Sequence, residues 1–139
     1  MEIVKARIMV VDDDAVMRKH VVDSLFKIGV QAVRECSDGT DALKFMASFW
    51  PDVVLTDIYM EPMGGFDFVR KLREHLTVEF RKSRVIFMSA DTDITTLEDA
   101  QLLGALGYIV KPPTLEILQT KLEWALSKKN NIAWHHAPH

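Results

Sequence analysis

The chain has 139 residues, 48% hydrophobic and 27% charged, with a formal net charge of -3. That length suits one domain with a real core, and the slight acidity excludes the basic surplus that marks most nucleic-acid binders. Cys36 is the sole cysteine, so no intrachain disulfide can form and a reducing compartment fits.

Met1 to Arg7 carries no apolar signal core, and no apolar run approaches the ~18 residues of a membrane span, so a cytoplasmic location without membrane insertion is expected. Residues 7–11 read as a buried strand. Asp14 is placed to cap a helix with apolar positions Met17, Val21, Leu25 and Ile28, and Gly29 to end it. Residues 30–35 form a second strand, and Ser37-Asp38-Gly39 a turn. A helix over 40–49 turns Ala42, Leu43, Met46 and Ala47 inward until Pro51 stops it. Residues 52–56 are the most convincingly buried strand. Gly64-Gly65 breaks the following loop, and Phe66, Val69 and Leu72 carry a third helix. A basic stretch follows (Arg70, Lys71, Arg73, Arg81, Lys82, Arg84), read as solvated surface. Next come a strand over 85–88 and a helix over 93–103, apolar at Ile94, Leu97 and Leu102. A last strand over 108–110 precedes a helix capped by Thr114, with Leu115, Leu118, Leu122 and Ala125 facing in and Trp124 off that stripe. From about Lys129 the pattern stops. Residues 1–128 therefore read as the domain and 129–139 as a frayed tail, whose His135, His136 and His139 read as incidental. His20 and His75 read as surface.

Strand and helix alternate five times, which predicts a doubly wound α/β fold with a parallel sheet. In such a sheet the carboxyl ends of the strands share one edge, where ligands bind. The strand patterns there run into Asp12-Asp13-Asp14, Asp57, Ser89 and Lys111-Pro112. Adjacent acids repel unless something positive lies between them. Asp12, Asp13 and Asp57 make a hard-oxygen set suited to Mg²⁺ or Mn²⁺. Lys111 adds a positive charge and Ser89 a hydroxyl donor, a combination suited to phosphoryl transfer by positioning and electrostatics.

Over residues 5–128 these motifs resemble a two-component response-regulator receiver domain. The resemblance implies a flavodoxin-like (βα)5 fold with strand order 2-1-3-4-5 (the order for which a chemotaxis receiver is a standard example). It implies Asp57 as phosphoacceptor, with Asp12, Asp13, Asp57 and the backbone carbonyl of Tyr59 as metal contacts. Ser89 and Lys111 would assist the transfer, and Ser89 and Tyr108 would act as switch residues. Phosphate on Asp57 would draw in Ser89 and free space for Tyr108 to fill. Tyr59 and Asp91 would flank the path of the water that removes the phosphoryl group. The partners implied are a histidine kinase or histidine phosphotransfer protein, and a target or output domain docked on the face made by residues 93–103, 108–110 and the last helix; homodimerisation is a further option. The chain would not be an enzyme in the ordinary sense, although it would catalyse its own phosphorylation and dephosphorylation. It departs from the pattern after Asp57. The proline of Met60-Glu61-Pro62 has moved by one, Gly64 replaces a second acid, and the 75–84 segment is a few residues long.

Two other readings compete. Asp12-x-Asp14-x-Val16 matches the nucleophile signature of haloacid-dehalogenase-type phosphatases, with Asp12 as nucleophile and Asp14 as acid/base. That reading leaves Asp57 without a role and lacks a further acidic motif beyond Lys111. The other is a receiver-like interaction module that is never phosphorylated, against which the intact acid set counts.

Overall fold

A computed structural model describes residues 1–127, so the tail assigned to 129–139, with its three histidines, lies outside the described residues. After a single 3-10 turn, five strands alternate with helices: β1 (Arg7–Val11), α1 (Ala15–Ile28), β2 (Ala32–Cys36), α2 (Gly39–Phe49), β3 (Val53–Asp57), α3 (Gly65–Arg73), a one-turn α4 (Val78–Arg81), β4 (Val85–Ser89), α5 (Ile94–Leu102), β5 (Gly107–Val110) and α6 (Leu115–Leu126). The sheet has the expected order β2-β1-β3-β4-β5, and every pairing is parallel.

Side chains alternate across a strand, so each strand feeds two cores. Ile8, Val10, Leu55, Ile86 and Met88 meet α1 and α6 on one face. Met9, Val11, Val54, Phe87 and Tyr108 meet α2, α3 and α5 on the other. β3 and β4 are buried at all five positions, which explains the apolar runs over 53–55 and 85–88.

Local signals placed the helices well. The Asp14 carboxylate accepts from the Val16 and Met17 amides and starts α1, a cap typically worth about 1 kcal/mol. Gly29 ends it at φ 111, a left-handed conformation that suits glycine. Asp38 and Thr114 cap α2 and α6 in the same way.

Helix faces needed more correction. In α2 Ala42, Leu43 and Met46 face in as expected, joined by Phe45 and Phe49, while Ala47 is exposed; it lies about 140° round the helix from Ala42. Ile94 and Leu102 are 71% and 85% exposed, because Ala100 and Leu97 define the inward side of α5. Trp124 does not stand out from α6 but is half-buried against the core. The long 75–84 segment folds into α4, anchored by buried Phe80. Its ring meets Trp50 at 4.7 Å and His75 at 5.0 Å between centroids. His75 is therefore half-buried, and its Nδ1 accepts from the Thr77 amide.

Candidate functional site

Asp12 continues the β1–β2 ladder by one residue, its amide donating to the Cys36 carbonyl at 3.0 Å. That turns its side chain inward, to 0% exposure. One Asp12 oxygen, Oδ1, accepts from the Asp14 amide at 3.0 Å, and Arg18 holds the Asp12 carbonyl at 2.7 Å. Asp13 faces out beside it and is exposed. Asp14 is occupied as the α1 cap, which counts against the acid/base role of the phosphatase reading.

Asp57 ends β3 and is buried, its Oδ1 accepting from the Ile58 amide at 2.7 Å. The start of α3 presses against this strand end. A Cβ at Gly65 would lie 2.0 Å from the Asp57 carbonyl oxygen, and one at Gly64 would lie 2.7 Å from that of Ile58. Both positions therefore need glycine, which accounts for the missing second acid. The Glu61–Pro62 bond in this loop is cis, and so is Lys111–Pro112.

Lys111 joins the two halves of the site. Its Nζ stands 2.6 Å from Asp12 Oδ2 and 3.0 Å from Asp57 Oδ2, partners 99 and 54 residues away in sequence. Burial pulls the ammonium's pKa down, but the two carboxylates outweigh it and hold Lys111 above its ordinary value. Burial raises Asp57, with Lys111 opposing and Asp12 adding to the rise. The pocket thus resists a full complement of negative charge unless more positive charge enters.

A divalent cation would supply that charge. Ligand oxygens of Asp12, Asp13 and Asp57 lie within 4.8 Å of one another. An all-carboxylate set of this size fits Mg²⁺ or Mn²⁺. Tyr59 lines an open cleft of about 440 Å³ with Asp13 and Glu61.

The family model for the response regulator receiver domain matches residues 8–123. The chain belongs to the response-regulator receiver family. Chemotaxis protein CheY of Pseudomonas aeruginosa is 31% identical over 124 residues, covering 89% of this receiver and 98% of the relative. Regulatory protein AtoC of Escherichia coli is 32% identical over 120 residues, covering 86% of this chain but 25% of that longer protein. Among solved structures, CheY4 of Vibrio cholerae superposes with a TM-score of 0.78 at 28% identity, covering 85% of the receiver and 96% of that chain. A two-component response regulator from Clostridium difficile shares the fold, with a TM-score of 0.80 at 20% identity over 91% of this chain and 99% of its own.

Beside the receiver's acidic pocket, the turn after β4 gathers a second group. Ser89 is 3% exposed, and its Oγ accepts from the Asp91 amide at 3.2 Å. The Asp91 carboxylate accepts from the Tyr59 hydroxyl, from Thr96 at 3.0 Å and from the Asp93 amide at 2.9 Å. The Tyr108 hydroxyl donates to the Asp91 carbonyl. The Tyr59 bond lowers Asp91 and raises the phenol's own pKa, while burial pushes Tyr108 up to about 12. The Tyr108 ring is 0% exposed and rests in the core.

The Asx turn was readable in Asp91-x-Asp93, but the tyrosines that bind Asp91 come from 32 and 17 residues away. Arg18 and Thr96 had no sequence signal beyond their polarity. His20 is exposed, as expected, with its Nε2 3.1 Å from the Pro113 carbonyl oxygen.

Proposed function

We propose that this receiver accepts a phosphoryl group on Asp57 from a histidine kinase or histidine phosphotransfer protein, and relays it by a change of shape to a protein target or an attached output domain. The observation that carries this reading is the Lys111 ammonium held between Asp12 and Asp57 at one strand edge. An oxygen of Asp57 forms the new phosphorus–oxygen bond as the phosphorus–nitrogen bond of phosphohistidine breaks. The leaving imidazole takes the electron pair and keeps a ring proton. Lys111 follows the charge onto the phosphoryl oxygens, and the Ser89 hydroxyl donates to one of them. Asp12, Asp13, Asp57 and the Tyr59 carbonyl would hold Mg²⁺, which supplies charge neutralisation and alignment of the transferred group. Everything else is positioning by this chain's own residues.

The output surface on this reading is the face of α5, β5 and α6, where Ile94 and Leu102 stand exposed. The relatives include chemotaxis proteins and a longer regulatory protein at similar identity, so the family likeness favours no single pathway. A cytoplasmic site of action accompanies this reading; no helix among the described residues is long and apolar enough to cross a membrane.

Incubation with acetyl phosphate and Mg²⁺, read by intact mass, tests the proposal. One added phosphoryl group is expected on the wild type and none on Asp57→Asn. Steady release of phosphate that survives Asp57→Asn but not Asp12→Asn would favour the phosphatase reading instead.

A further inference from the structure

The basic stretch from Arg70 to Arg84 does not behave as one solvated surface. Arg70 pairs with Asp67 on α3 at 2.7 Å. Arg73, Arg81, Lys82 and Arg84 instead gather round a cavity of about 590 Å³ at the amino edge of the sheet. Pro51 and Asp52, just ahead of β3, line it too, so it lies at the opposite end of that strand from Asp57, roughly 17 Å away.

Arg73 builds the walls. Its guanidinium donates to the carbonyls of Leu103 at 2.8 Å and Gly104 at 3.2 Å, in the turn before β5. It also donates to those of Arg81 at 3.0 Å and Ser83 at 2.7 Å, after α4. One side chain thus pins two loops together, and Phe80, buried against Trp50, anchors the same insert. The backbone that presents Arg81 and Lys82 is fixed while both side chains stay exposed. Neither takes part in any ion pair among the described residues.

Basic residues outnumber acidic ones in the cavity lining. Four basic residues face two acidic ones, Asp52 and Glu79, in a chain whose net charge is -3. Asp52 is already engaged, its Oδ2 accepting from the Arg7 amide at 2.8 Å. A concave wall with a surplus of cations concentrates its field on small anions. The volume falls within the ~300–1,000 Å³ typical of small-molecule sites, and arginine with lysine is the pairing that suits phosphate oxygens.

We propose that this cavity binds a small phosphorylated anion of nucleotide size, at a site separate from Asp57. Arg81 and Lys82 contact the phosphates, and Arg73 positions the loops that carry them.

The test titrates inorganic pyrophosphate, and separately ADP, into the full chain without Mg²⁺, with amide chemical shifts as the readout. Omitting the metal leaves the Asp12, Asp13 and Asp57 cluster repulsive to anions. Saturable shifts are expected in residues 79–84 and 104–106, and added NaCl should weaken them. The double variant Arg81→Ala/Lys82→Ala, which alters only exposed side chains, should bind about tenfold more weakly or worse. Shifts that never saturate, or equal affinity in the double variant, would overturn the proposal and return these residues to solvated surface. Saturation by a hexaglutamate peptide but by neither phosphate compound would also overturn it, in favour of a docking patch for acidic protein segments.

Discussion

Replacing Tyr108 separates two resting states of the receiver, one with the ring in the core and one with the ring in solvent. The ring is 0% exposed in the cluster that includes Phe87, Ala100 and Ala105. Tyr108→Phe keeps that packing and loses the hydroxyl's hydrogen bonds, among them the one to the Asp91 carbonyl on a loop that water reaches. The expected cost is about 1 kcal/mol. Tyr108→Ala empties a buried aromatic site and loses both transfer energy and packing, about 3–5 kcal/mol. Urea unfolding without Mg²⁺ measures both, and the comparison is sound if the dependence on urea stays constant. A Tyr108→Ala cost below about 1 kcal/mol would show that the ring rests in solvent, and would refute the inward resting state. If the expected costs are found, phosphorylation need not drive the ring inward. The signal then has to arise from smaller shifts at Ser89 and Asp91, where amide exchange should change on phosphorylation.

Asp13→Asn should weaken Mg²⁺ binding by about tenfold in a calorimetric titration, yet alter metal-free stability by less than about 0.5 kcal/mol, because Asp13 is exposed; a clear loss of metal-free stability would make Asp13 structural. Tyr59→Phe cuts the tie to Asp91 and should hasten loss of the phosphoryl mass several-fold, while an unchanged or slower decay would place control of lifetime elsewhere. Cys36 is buried, and burial, then Asp41, raises its pKa from 9.0 to about 12. The folded state therefore holds the thiol proton more tightly than the unfolded chain. The associated stability is complete below pH 9.0 and declines as pH rises toward about 12. Alkylation at pH 8.5 should accordingly track global unfolding; fast labelling of the native protein would contradict that burial.

The meeting of Asp12, Asp57, Ser89 and Lys111 at one edge was legible because strand ends carry both signals, whereas the strand order followed from the family resemblance alone. An apolar run marks the strand, and a polar residue at its carboxyl end falls on the shared edge. Helix caps were legible at Asp14 and Thr114 for a similarly local reason, since the capping side chain binds amides two or three residues on. Helix faces were harder. Ala47, Ile94 and Leu102 are apolar yet exposed, and single-sequence periodicity does not distinguish a core position from an isolated surface one. The Asp91 junction and the Arg73 clamp were illegible because their partners arrive from distant segments. The clamp joins Arg73 to carbonyls 8, 10, 30 and 31 residues away, and carbonyls leave no trace in residue identity.

On the proposed reading Asp57, and no other acid at the edge, receives the phosphoryl group. Borohydride reduction after treatment with acetyl phosphate and Mg²⁺ addresses it directly, since hydride converts an aspartyl phosphate to homoserine and leaves free carboxylates untouched. Peptide mass spectrometry should find homoserine at position 57 and aspartate at 12 and 13, with no conversion when Mg²⁺ is withheld. Homoserine at position 12, or none anywhere despite phosphate turnover, would contradict acceptance on Asp57.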